Sequence, residues 1–183
     1  MKKKIMMMLF ALVFTLMANA QTTSLRPEAN KKVYDETIDP IEQIDQAVSK
    51  AKAEGKHVVC QVGGNWCPWC LRFAYFITSD TTINQLIADN FVYIHVNYDP
   101  RKSRMEAQSA ISDSASPIKR QPSALLMERL NHPARFGFPV FVVLNGEGKV
   151  IHIQDSSFLE EGESYNKEKV IRFFKNWTPR ALE

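Results

Sequence analysis

Cysteine is scarce in this chain, with three in 183 residues, too few for a disulfide scaffold. There is no internal repeat and no low-complexity tract. The apolar run at residues 5–17 is 13 residues long, short of the ~17–25 needed to span a bilayer. An excess of one charge is also missing once the N-terminus is set aside. Residues 2–4 are lysines, the apolar run follows, and Ala18-Asn19-Ala20 closes the stretch. A basic segment, a short apolar segment and a small-x-small site together read as a secretory leader cleaved after Ala20. Without the leader, 23 basic and 20 acidic residues become 20 and 20. A neutral mature protein argues against nucleic-acid and acidic-lipid partners. The remaining 163 or so residues suit one domain with a proper core, expected as a periplasmic or secreted monomer. No cysteine near the cleavage site offers a lipid anchor.

What is present is concentrated at Trp66-Cys67-Pro68-Trp69-Cys70. Two cysteines two residues apart can close and reopen a small disulfide ring, although zinc knuckles share the spacing. The apolar run Val58, Val59, Val62 leads into Gly63-Gly64, and a helical pattern follows from Leu71 to Ile77. The pair therefore sits where a strand passes into a helix. At a helix start, free backbone N–H groups and the macrodipole stabilise a thiolate. Pro68 fits the first helical position. Cys67 is then the exposed cap and the attacking nucleophile, and Cys70, one turn on, is the resolving thiol. Trp66 and Trp69 form an apolar rim that docks substrate.

The rest of the chain reads as alternating elements. Residues 21–37 carry no period and are expected to be a flexible lead-in. Asp39-Pro40 starts a helix closed by Gly55, with Ile41, Ile44, Ala47, Val48 and Ala51 at helical spacing. Strands are expected at 57–62, 91–97, 138–144 and 149–154, the last two joined by Asn145-Gly146-Glu147-Gly148. Helices are expected at 68–79 and 82–88, with a closing helix along Val170, Ile171, Phe174 and Trp177 that Pro179 terminates. Residues 99–135 read as a surface insertion with one or two short helices and a basic, solvated face. The domain proper runs over 38–183.

This order, with Trp66-Cys67-Pro68-Trp69-Cys70 and Gly137-Phe138-Pro139-Val140, resembles the thioredoxin superfamily, in particular its exported bacterial members. The resemblance covers roughly residues 38–178. It implies an α/β thioredoxin fold: a central mixed sheet of four to five strands flanked by helices, the insertion preceding the proline strand. It implies a cis Phe138–Pro139 bond facing the cysteines, with Phe138 and Pro139 binding substrate through the main chain. The implied activity is thiol–disulfide exchange with protein thiols and disulfides. No cofactor is required, but a redox partner must reset the pair. Two departures stand out. The family's buried acid is replaced by Gln61, which cannot take a proton, and its neighbouring lysine by His95. These two are the candidate proton relay, His95 reading more simply as a hydrogen-bonded strand histidine.

Two alternatives stay open at this point. One is a noncatalytic binding module that kept the fold. The other is a zinc site of His57, Cys60, Cys67 and Cys70, disfavoured because strand residues 57 and 60 point to opposite faces. Cys60 itself reads as a small buried apolar residue.

Overall fold

A computed structural model describes residues 32–112 and 121–183. The expected leader, and the lead-in up to residue 31, lie outside the described residues. Helix α1 (Pro40–Glu54) begins where the Asp39 carboxylate accepts hydrogen bonds from the amides of Ile41 and Glu42. It ends at Gly55, whose φ of 64° suits a residue without Cβ. Strand β1 (His57–Gly63) follows and is buried along its whole length. Next come α2 (Pro68–Ser79), α3 (Thr81–Asn90) and β2 (Phe91–Asn97). The chain continues through α4 (Pro100–Ser112), α5 (Pro122–Arg129) and the hairpin β3 (Val140–Leu144) and β4 (Val150–Asp155). Helix α6 (Lys167–Asn176) closes the domain.

The main sheet has the order β2-β1-β3-β4. β1 runs parallel to β2 and antiparallel to β3, and β3 pairs antiparallel with β4. Alternation along β1 divides the core in two. Val58, Cys60 and Val62 join Ile44, Ala47 and Ala51 of α1 on one face. Val59 joins Phe73, Ile77, Ile83, Phe173 and Phe174 of α2, α3 and α6 on the other. Each of the buried valines, isoleucines and phenylalanines contributes about 1.5–3 kcal/mol, so the two layers fix β1, and hence its C-terminal end, firmly.

The expected fold class is the observed one, with several boundaries moved. α3 is longer than 82–88 because the Asp80 carboxylate caps the amide of Ile83 and starts the helix at Thr81. β3 starts at Val140, just past the proline, which has no N–H for a ladder. Pro179 opens a short 3₁₀ turn, Pro179–Leu182, after α6 has ended at Asn176. A two-residue hairpin, β5 (Glu160–Glu161) with β6 (Ser164–Tyr165), was not expected. The insertion is more than a solvated surface. Leu126, Met127 and Leu130 lie in the α1-side core, and Arg129 donates to the Gly148 carbonyl at 2.8 Å.

Candidate functional site

β1 delivers the chain to Gly63, and a tight turn over Gly64, Asn65 and Trp66 turns it into α2. The amide of Cys67 donates to the Gly64 carbonyl at 3.0 Å. Cys67 is the N-cap of α2 in an extended conformation, and its Sγ accepts the Cys70 amide at 3.2 Å. Pro68 holds the first helical position. Cys67 and Cys70 form a disulfide with Cα atoms 5.3 Å apart, inside the usual range. Gly63 is required by this packing. A Cβ there would collide with Cys70 Sγ and stand 3.0 Å from the Tyr34 hydroxyl. Cys67 was expected to be an exposed cap, yet it is only 4% exposed, against 0% for Cys70. Its neighbours Trp66 and Pro68 take the solvent-facing positions instead.

The Phe138–Pro139 peptide bond is cis. The Phe138 carbonyl oxygen lies 3.6 Å from Cys67 Sγ, and the Pro139 ring is buried beside it. Trp66 is half exposed and packs edge-on against Phe138 at 5.4 Å. Its indole N–H donates to the Tyr98 carbonyl at 3.0 Å. Trp69 packs against the cluster of Tyr34, Cys67 and Cys70. It is partly buried, edge-on to Tyr165 at 5.5 Å and covered by the Arg72 guanidinium at 4.4 Å. The Tyr165 hydroxyl donates to the Trp69 carbonyl at 3.1 Å, which explains why the small β5–β6 hairpin matters here. Trp66 is thus the open wall of the site and Trp69 a packed floor.

Behind Cys70 lies a polar network in an otherwise apolar layer. The Gln61 side-chain amide donates to the Tyr34 hydroxyl at 2.7 Å and to the Cys70 carbonyl at 2.9 Å. Its oxygen accepts the Tyr93 hydroxyl at 2.6 Å. All three polar positions of this fully buried side chain are used. Gln61 therefore holds the backbone of Cys70 rather than its sulfur. His95 pairs with Gln61 across β1 and β2, and its ring is edge-on to Tyr34 and Tyr93 at 5.3 and 5.4 Å. The expectation of a hydrogen-bonded His95 needs correction, because its buried Nε2 has no partner. Burial lowers its pKa from 6.5 to about 4, so the ring is neutral at pH 7. Burial likewise pushes the Tyr34 and Tyr93 hydroxyls well above the ordinary value, and both stay protonated.

Tyr34 also corrects the picture of a loose lead-in through residue 37. It is 1% exposed. The Asn65 side-chain oxygen accepts the amides of Val33 and Tyr34 at 3.0 Å each, and its NH₂ donates to the Tyr34 carbonyl at 2.8 Å. The segment is held by a side chain of the turn that precedes Cys67, a link of more than thirty residues that no local period announces. The adjacent Val33-Tyr34 pair in a polar stretch was the one available signal. Tyr93 and Tyr165 escaped notice for the same reason.

The four residues weighed as zinc ligands are not brought together. Cys60 lies in the α1-side core, whereas Cys67 and Cys70 cluster with Tyr34. His57 Nδ1 is 2.9 Å from the Trp177 carbonyl oxygen. Burial raises the Cys60 thiol to about 12, which makes it inert at neutral pH.

A cysteine pair capping a helix against a cis-proline loop, at the end of the central strand of a four-stranded mixed sheet, defines a thioredoxin-fold thiol–disulfide oxidoreductase. Residues 44–156 match the thioredoxin-like domain family, and the chain belongs to it. No curated protein matches it by sequence. Among solved structures it is similar to a disulphide isomerase from Xylella fastidiosa Temecula1, at 21% identity and a TM-score of 0.61. That match covers 80% of this chain and 97% of the other. A thioredoxin from Thermus thermophilus aligns over 72% of this chain and 81% of its own, at 18% identity and a TM-score of 0.46. A DsbH oxidoreductase aligns over 86% and 91%, at 17% identity and a TM-score of 0.42.

Proposed function

We propose that this oxidoreductase exchanges disulfides with protein substrates outside the cytoplasm, with Cys67 attacking and Cys70 resolving. The observation that carries this reading is the placing of Cys67. Its sulfur caps α2 and lies beside the Phe138 carbonyl of the cis-proline loop, while Cys70 is enclosed behind it. In the reduced protein the Cys67 thiolate is stabilised by the free amides of the helix start. It attacks one sulfur of a substrate disulfide, forms the Cys67–substrate bond and expels the other sulfur as a thiolate. Cys70 then attacks Cys67 Sγ, closes the internal disulfide and releases the second substrate sulfur. The substrate gains two electrons and the enzyme loses two. Cys70 gives up its proton before it attacks, and the departing substrate thiolate takes one up, so protons balance over the step. An external dithiol restores the pair, and the reverse sequence oxidises substrate thiols.

Main-chain pairing of an extended substrate segment with Phe138 supports a broad range of proteins, with Trp66 as the apolar contact beside it. The location rests on the basic, apolar and small-residue succession of residues 1–20. Among the described residues no helix is long and apolar enough to cross a membrane.

The test is trapping. Cys70→Ser should accumulate mixed disulfides with proteins of an exported fraction, because the first attack survives and resolution is lost. Cys67→Ser should trap little, and buried Cys60 should not confuse the result. Equal trapping by both variants refutes the order of attack, and no trapping by either refutes the reading.

A further inference from the structure

We infer that the cavity between Trp66 and the first turn of α4 is a subsite for an acidic side chain of the substrate polypeptide, close to the half-cystine under attack. This inference rests on the thiol–disulfide reading and names the substrate class it favours. The cavity is about 250 Å³ and is lined by Trp66, Asp99, Pro100, Arg101 and Arg104. Its position is set by the reaction centre, since Trp66 precedes Cys67 and packs on Phe138.

Both walls are fixed. The indole of Trp66 is fastened to the Tyr98 carbonyl, and a Cβ on Gly64 would strike it. On the other side, the Asp99 carboxylate accepts the Arg101 amide at 2.8 Å, and its carbonyl accepts the Ser103 amide at 3.0 Å. Further along α4, the Glu106 carboxylate accepts the Ser123 amide at 3.1 Å and ties the helix to the start of α5. Arg101 and Arg104 are three residues apart and share one helix face. Both are exposed, and neither has a carboxylate within ion-pair distance among the described residues. The single carboxylate in the lining, Asp99, has one oxygen on the Arg101 amide. Two cations face one anion, so the cavity is positive.

A carboxylate suits it. Guanidinium groups match a carboxylate in paired hydrogen bonds, and the indole gives the methylenes of a glutamate an apolar wall. A substrate strand paired along Phe138 advances about 3.3 Å per residue. The acidic residue therefore lies a few positions from the substrate cysteine, on the Trp66 side.

The experiment uses the full chain, reduced beforehand, in single turnovers with three disulfide-linked peptides. They differ only in carrying Glu, Gln or Lys around the cysteine. At low salt the Glu peptide should react about two- to fivefold faster than the Gln peptide, and the Lys peptide slower by a similar factor. At about 1 M salt, where the screening length is ~3 Å, the three rates should converge. Arg101→Gln with Arg104→Gln should remove the order, and Lys102→Gln, the same charge lost beside the cavity, should keep it. Equal rates for all three peptides with the unaltered protein overturn the subsite alone, as does an order that survives the double substitution. No reaction with any peptide overturns the thiol–disulfide reading, and the subsite falls with it.

Discussion

Lowering the pH should destabilise this protein well before its carboxylates titrate, and His95 is the reason. Its half-buried ring contacts Tyr34 and Tyr93 edge-on, with Nε2 buried and unpartnered, and the folded pKa is about 4 against 6.5 in an open chain. As pH falls below 6.5, the unfolded chain takes up a proton that the folded protein refuses. Stability is therefore complete above about pH 6.5 and drains away as pH falls toward 4. A tenfold difference in proton affinity is worth about 1.36 kcal/mol, so the full loss is about 3 kcal/mol. About 2 kcal/mol of it falls between pH 7 and 5. Two other sets of groups must be kept apart. His152 is also held below its ordinary value by burial, so the comparison is made in a His152→Gln background. Asp35, Glu54 and Asp80 are held low chiefly by side-chain hydrogen bonds to Thr37, Lys56 and Lys167. They affect stability only below about pH 4.5, so the slope is read above pH 5. Urea unfolding at half-unit pH intervals measures the free energy directly. His95→Phe keeps a ring between the two tyrosines, removes the orphan nitrogen and should flatten the profile. A loss under about 0.5 kcal/mol between pH 7 and 5, or an unchanged slope in His95→Phe, would refute the argument.

Gly63→Ala should disrupt the redox pair with little effect on β1 itself, because the new methyl meets Cys70 Sγ and the Tyr34 hydroxyl. A reduction potential and Cys70 alkylation rate equal to those of the unaltered protein would contradict that close packing. Gln61→Asp should cost about 2–4 kcal/mol, since a carboxylate cannot donate to Tyr34 and the Cys70 carbonyl and is buried without a cation. Its resolving step should also acquire a pH dependence, and denaturant unfolding with stopped-flow resolution kinetics would check both.

The sheet strands and α1 were legible because burial on one or two faces leaves a period in the sequence, and Asp39-Pro40 and Gly55 mark the helix ends locally. The cysteine pair was legible for a similar reason, as a strand–helix junction carrying reactive side chains. Contacts between distant segments were not. Leu126, Met127 and Leu130 read as a small cluster on an insertion, yet they complete the core above α1. Only the third dimension brings them there. The enclosure of Cys67 was not legible because the sequence shows which residue caps α2 but not how Val33, Trp69 and Phe138 pack around it. Gln61 was seen as a lost acid, whereas its role as a three-way bridge depends on two tyrosines from other segments.

Asn65 gives the domain an unusual boundary. The part shared with the thioredoxin-like family begins at residue 44, yet the wall behind Cys70 is supplied by Tyr34, ten residues earlier, through the Asn65 clasp. A chain that lost only the Val33–Tyr34 segment would keep every strand of its sheet, its cysteines and its cis-proline loop. It would also open the resolving sulfur to water from behind and strand one donor of Gln61. The surroundings of the pair are thus set partly by a strap that lies ahead of the residues matched to the family.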